Sequence, residues 1–392
     1  MPISMQYEYT LPTVTATLFK TGAYTYEVIY PELLDNGTTH YICRNLKKRV
    51  IDFSSSPPTW GSESSIAVDT PSGLSNPIMS SKCPLGYNFE TDELLFVLGE
   101  WDGTSTLLST TTAKLIAVKR DFSSVSVLHD DLLTLAQSAI SDAETIRYYA
   151  TASGYGDKIV CIVGTYSDTG TENERSCIIL YDGTSWSAVH ANTRYDSLQE
   201  DIEPIWDASD NFLGWLTEGH GTNSHFISYP DLSITAGAPG GLFTTEPIYD
   251  PVNHKIIWIE WGSATGATQH IWIADPTDPF TATDVTPSGT KTDNEGHSID
   301  LNVDCKSDGS IFSDGTKNWL VMKIYDNPDR EFYRAMKVTL GSYSDAGEWD
   351  FIADPSGSDQ ITIQNAVRTI NPSTKLLIPN PLFIVVPDTW IV

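Results

Sequence analysis

Two stretches of this chain say nearly the same thing: E203-PIWDASDNFLGW-L216 and E246-PIYDPVNHKIIW-I259, which begin 43 residues apart. After the second copy, "KIIWIEW" alternates apolar and polar residues as a strand does, "GSATGATQ" is a polar loop, and "HIWIADPTDP" is a second strand ending in a turn. The first copy has the same plan, with "NFLGWLTE", the loop "GHGTNS" and then "HFISYPDL". Short strands repeating at about 40–60 residues are the signature of a β-propeller, in which each repeat is one small antiparallel sheet that cannot bury its faces alone.

A polar turn followed by an alternating apolar strand is the anchor of each repeat. It recurs near Tyr26, Leu95, Val160, Leu213, Ile257, Leu320 and Leu376. Seven anchors predict an all-β fold: a single propeller domain over residues 1–392, seven-bladed with four-stranded antiparallel blades, six and eight being the neighbouring counts. An N-terminal strand in "TVTATLF" pairing beside "LFIVVP" of the last blade would close the ring and leave no free edge. One segment breaks the β rhythm. In "DDLLTLAQSAISDAETI", residues Leu132, Ala136, Ala139, Ala143 and Ile146 share a helical face and Asp130 or Asp131 can cap its start, which predicts one short helix within 131–146.

The composition excludes several function classes. With 51 acidic against 23 basic residues the formal charge is −28, which repels phosphate backbones, so nucleic acid is not an expected partner. The one basic cluster, Arg44 to Arg49, is either an anion patch or a solvated strand surface, and the second is the plainer reading. No stretch approaches the ~18 apolar residues of a membrane span, and "MPISMQYEYTLPTVTATLF" does not read as a Sec signal peptide. The five cysteines show no CxxC spacing. Cys161 and Cys177 lie in apolar strand-like runs and read as small buried side chains.

The two opening stretches resemble the blade motif of TolB-type propellers, which also occurs in relatives of prolyl oligopeptidase. Pro204, Trp206, Asp207 and Asp210 carry the resemblance in the first copy, and Pro247, Tyr249, Asp250 and Pro251 in the second. The motif's turn glycine is replaced by Asn211 and His254. The resemblance implies a fold and not an activity. No Gly-x-Ser-x-Gly nucleophile elbow occurs, which removes the oligopeptidase reading. Asp-Gly-Thr recurs, as at Asp182, but never within a full sialidase-type Asp box, so these tripeptides read as hairpin turns.

In TolB-like blades the loops between second and third strands gather on one face, where ligands usually bind. Those loops offer Trp101, Tyr166 and Trp261 as stacking platforms, and Glu218 and His220 as polar contacts. Glu218, His220 and His225 together form a weak candidate metal cluster, and Asp168, Glu172 and Glu174 a weak candidate Ca²⁺ set without EF-hand spacing. Otherwise no cofactor is expected. The function expected is a non-catalytic recognition or assembly module contacting carbohydrate or protein, such as a virion or phage surface component within a symmetric particle. The alternatives are a polysaccharide lyase or glycosidase using Glu218 and His220, and an intracellular interaction scaffold.

Overall fold

A computed structural model describes residues 16–285 apart from 23–24, 36–40, 53, 55–58, 80–84, 102–108, 169–173, 193–201, 218–223, 238–246, 251–253 and 261–269; beyond 285 it describes only the strands given below. The chain opens with β1 (Ala16–Lys20), β2 (Thr25–Asp35), β3 (Tyr41–Asp52), β4 (Thr59–Trp60), β5 (Ser64–Ala67), the one-turn helix α1 (Asp69–Ser72) and β6 (Pro77–Ile78). Then follow β7 (Gly86–Asn88), β8 (Glu93–Glu100), β9 (Ser109–Thr110), β10 (Ala113–Lys119), β11 (Val125–His129) and α2 (Leu132–Gln137). Next are β12 (Thr145–Tyr155), β13 (Lys158–Tyr166), β14 (Glu174–Tyr181), β15 (Trp186–Asn192), β16 (Ile202–Trp206), β17 (Phe212–Thr217), β18 (Ser224–Ser228) and β19 (Ile234–Gly237). β20 (Ile248–Asp250), β21 (Lys255–Glu260), β22 (His270–Asp275), β23 (Asp278–Asp284), β24 (Thr290–Thr292) and β25 (Ser298–Asp300) continue the series. The last strands are β26 (Cys305–Ser313), β27 (Asn318–Tyr325), β28 (Tyr333–Thr339), β29 (Trp349–Ala353), β30 (Thr362–Ile363), β31 (Val367–Asn371), β32 (Leu376–Leu377) and β33 (Ile384–Val385).

The fold is all-β, and its recurring unit is an antiparallel meander of four strands. In chain order the meanders are β7–β8–β10–β11, β12 to β15, β16 to β19, β20 to β23 and β26 to β29. The two opening stretches form the first hairpins of the third and fourth meanders. The anchors near Leu95, Val160, Leu213, Ile257 and Leu320 each fall in the second strand of a meander.

The altered turn of the motif is visible at both copies. In the third meander the Asp207 carboxylate accepts the backbone N–H groups of Ser209 (2.8 Å) and Asn211 (2.9 Å), so the aspartate organises the turn that a glycine would otherwise allow. Among the described residues of these turns, Asp210 (φ 61°) and His254 (φ 49°) are left-handed.

First strands of successive meanders touch in chain order: β7 with β12, β12 with β16, β16 with β20 and β20 with β26. The approach is closest at Gly86, where a Cβ would stand 1.5 Å from the carbonyl oxygen of Ala152. Only glycine lets the two backbones come that near. Between the first and second meanders lies an apolar layer of Leu95, Leu115, Cys161, Val163 and Ile179 with α2 against it. Between the second and third, Val160, Ile162, Ile178 and Leu180 belong to the same core as Trp215 and Ile227. Edge-to-face ring contacts run from Phe19 to Tyr87 (5.0 Å), Tyr87 to Phe89 (5.1 Å) and Phe89 to Trp206 (5.1 Å), tying first strands of non-neighbouring meanders together.

Three expectations need correction. The helix covers Leu132–Gln137 only, capped by Asp131 accepting from Thr134 N at 2.9 Å. Beyond it Ser138 turns its hydroxyl onto Leu135 O and the chain continues in turns, yet Ile140, Ala143 and Ile146 remain buried. The periodicity had read burial correctly and its cause incorrectly. A second helical turn, α1, was not foreseen. The N-terminal strand β1 pairs antiparallel with β2 and parallel with β31, not with "LFIVVP". Of that run the described residues are Ile384–Val385, which pair with Thr362–Ile363.

The basic cluster is a neutralised strand surface. Lys47 pairs with Glu32 (2.8 Å) and Glu63 (3.1 Å), and Lys48 with Glu27 (3.3 Å), while the Arg49 guanidinium lies over the Trp60 ring. Cys161 and Cys177 are buried free thiols, and burial pushes the Cys177 thiol up to about 12.

Candidate functional site

In every meander the first strand begins, the second ends and the third begins at the same end, here called the entry end. The opposite end is the exit end. Thr145, Arg147, Tyr166, Glu174 and Ser176 stand at the entry end of the second meander, and Glu203, Thr217, Ser224 and His225 at that of the third. Of these polar residues at strand termini, Arg147, Ser176, Glu203, Thr217, Ser224 and His225 are buried, Ser224 fully and Ser176 to 1% exposure, while Thr145, Tyr166 and Glu174 are half-buried.

Arg147 is 8% exposed and sits with its guanidinium over the Tyr166 ring, 4.3 Å from the centroid, while its Nη2 pairs with Glu174 at 2.5 Å. The tyrosine hydroxyl is bonded to Asp168, and that bond raises its pKa. On the other face of β14, Arg175 reaches Asp142 at 2.7 Å. His225 takes its position from β18, where its backbone N–H donates to Thr217 Oγ1 at 2.9 Å. Burial lowers its imidazole to about 4, so the ring is neutral at physiological pH. Glu203 is buried on β16 and accepts the backbone N–H of Tyr249 on β20 at 3.0 Å, joining two meanders; burial raises its carboxyl to about 8.

Among the described residues, buried polar atoms without a hydrogen-bond partner concentrate at this end. They include Thr145 Oγ1, Arg147 Nε, Arg175 Nε, Ser176 Oγ, Ser224 Oγ and His225 Nδ1. Thr151 Oγ1 and Trp258 Nε1, inside their strands, are the exceptions. Buried polar groups are ordinarily satisfied, so a cluster of unsatisfied ones at one end marks a place built to meet something else. Ser176 Oγ and His225 Nδ1 are not bonded to each other, so they do not form a nucleophile and base couple.

Of the residues singled out in the sequence, Trp101 and Tyr166 are both at the entry end, in the first and second meanders. Trp101 is half-buried and its backbone N–H donates to Asn76 O at 3.0 Å, beside Glu100, whose carboxylate accepts from Ser75 N and Asn76 N. The Arg147 guanidinium covers one face of the Tyr166 ring. Glu218, His220 and Trp261 lie outside the described residues, as does Glu172. His225 is a strand residue rather than a loop residue, and Glu174 is held by Arg147 rather than being free for Ca²⁺. Among the described residues no group of three or more His, Cys, Asp or Glu could hold a metal ion. Arg147 and Ser176 were missed. Their signal was a polar residue on the inward parity of "TIRYYATASGY" and of "ERSCIILY".

No family model matches the chain, and no curated protein matches it. Among solved structures it has distant similarity to a Trypanosoma rangeli sialidase in complex with sialic acid, at 11% identity and a TM-score of 0.39, covering 84% of this chain and 44% of that one. TolB from Acinetobacter baumannii aligns at 12% identity and a TM-score of 0.31, covering 86% and 82%. Prolyl oligopeptidase B from Galerina marginata aligns at 9% identity and a TM-score of 0.41, covering 86% and 41%. The chain spans about half the length of the sialidase chains it aligns with.

Proposed function

We propose that the chain is a β-propeller acting as a rigid, non-catalytic recognition module for hydroxyl-rich surfaces, carbohydrate above all, with the entry end of its strands as the recognition face. The observation that carries this reading is the concentration of buried, unpartnered polar side chains at that one end. A rigid scaffold presenting unsatisfied donors and acceptors loses little conformational freedom when a polar ligand supplies the missing partners.

The blade count proposed with it is six. Five blades are the meanders. The sixth combines strands from both ends of the chain, because the anchors near Tyr26 and Leu376 lie in one hydrogen-bonded sheet through β2, β1, β31 and β32. Two contacts support closure: β1 pairs with β31, and Thr17 Oγ1 donates to Leu85 O at 2.9 Å, just before β7. The setting proposed is a virion or another outer surface; the protein would then be found in purified particles at a stoichiometry fixed by symmetry, and its absence from them would remove that setting.

Incubation with a panel of surface polysaccharides tests recognition against catalysis. Retention of the protein with unchanged glycan chain length is the expected result. Shortened chains would make it a depolymerase, with Glu218 and His220 the first residues to replace.

A further inference from the structure

The second and third meanders face each other across a layer that is apolar in depth and polar at its mouth. Trp215 Nε1 donates to Ser153 Oγ of β12 at 3.1 Å, which identifies the face of β17 turned toward the second meander. Side chains alternate along a strand, so the same face of β17 and β18 carries Thr217, Ile227 and His225. On β13 and β14 the facing side runs through Val160, Ile162, Ile178 and Leu180 and ends, at the entry end, in Tyr166, Ser176 and Glu174. The opposite sides of those strands are accounted for, since Cys161, Val163, Cys177 and Ile179 pack toward the first meander. Arg147, over Tyr166 and paired with Glu174, belongs to the same mouth.

Three polar atoms in this mouth have no partner: Arg147 Nε, Ser176 Oγ and His225 Nδ1. Their residues are only 8%, 1% and 8% exposed. Arg147 is balanced by Glu174, the Tyr166 hydroxyl is held by the Asp168 carboxylate, and the desolvated imidazole is neutral, so the mouth carries no net positive charge to attract an anion. A guanidinium N–H, a hydroxyl and an imidazole nitrogen without net charge match the hydroxyls of a neutral sugar, each of which both accepts and donates. We propose that the mouth between the second and third meanders is a binding subsite for a neutral sugar residue, held by Arg147, Ser176 and His225. The proposal rests on the recognition reading above and gives it a place and a ligand class.

Because the atoms are unpartnered in the free protein, removing them takes away affinity without taking away internal bonds. Ser176→Ala deletes one such atom and little else; His225→Phe deletes Nδ1 together with Nε2 and adds ring volume, so Ser176→Ala is the variant whose melting temperature is diagnostic. Both variants and the parent would be titrated against neutral dextran, galactomannan and xylan and against acidic alginate and polysialic acid, with melting temperatures recorded. The expected result is retention of a neutral glycan by the parent, weakened about fivefold or more by each variant, with a Ser176→Ala melting temperature equal to or above the parent's. A neutral glycan bound equally well by both variants would overturn the subsite while leaving the recognition reading intact. Binding confined to the acidic glycans would overturn the neutral-sugar assignment. A lower Ser176→Ala melting temperature with unchanged affinity would mean that ordered water is the occupant, and failure to retain any glycan would overturn both this proposal and the reading it rests on.

Discussion

The two ends of the strands are built on opposite principles. At the exit end, Tyr87, Phe89 and Trp206 come together ring against ring, and Trp206 is 1% exposed with its neighbours Phe212 and Tyr249 in contact. At the entry end, residues just as deeply buried are polar, and several keep an atom unpaired. Apolar burial holds a fold without specifying a partner, whereas a desolvated, unpaired donor destabilises a fold until a partner arrives. The exit end is therefore the tightly packed one, and the entry end is the one for which recognition is proposed.

The comparison breaks most visibly at its structural pole. Trp206→Ala would empty a fully packed site shared by three meanders and is expected to cost about 4–5 kcal/mol of stability, measured by denaturant unfolding. A loss below about 1 kcal/mol, the scale of an ordinary surface change, would remove the aromatic packing from the account.

Glu203 gives the next effect, and its sign differs from that of most carboxylates. Its pKa is raised from 4.5 in the unfolded chain to about 8 in the fold because burial disfavours the anion. The fold thus prefers the neutral acid. The stability this contributes is complete below pH 4.5 and is lost as pH rises through about 8, by about 5 kcal/mol in all. Glu203→Gln cannot ionise, and it should flatten the decline between pH 5 and 8 in a series of melting curves. A parent whose stability rises over that range would contradict the buried position of the carboxyl.

The smallest effect is expected on the outer, ion-paired strands, away from either pole. Lys47 and its partners Glu32 and Glu63 are partly solvated, so Lys47→Ala should change stability by about 0.5 kcal/mol or less, and less still at high salt.

Much of this architecture was legible in residues 203–216 and 246–259, because strand alternation and turn residues act locally and recur. Five of the seven anchors landed in second strands for that reason. The anchors at Tyr26 and Leu376 lie in one sheet joined through β1 and β31, and no local pattern reports a pairing across some 350 residues. The helix was overextended because Ala139, Ala143 and Ile146 are spaced as a helix would space them, while turns and a strand carry them into the core, Ala139 only in part. Tyr166 and Trp101 were visible as loop-edge aromatics. Arg147 and Ser176 were not, because a buried polar residue differs from a solvated one only through the strands packed against it, and His225 was visible only as a candidate metal ligand beside Glu218 and His220.

Hydrogen exchange of the whole chain, with and without a saturating amount of a retained polysaccharide, tests the central claim most directly. The account predicts new protection at the entry ends of β12, β14, β17 and β18, with the exit-end segments around Phe89 and Trp206 unchanged. Protection at the exit end, or spread evenly over both, would contradict it.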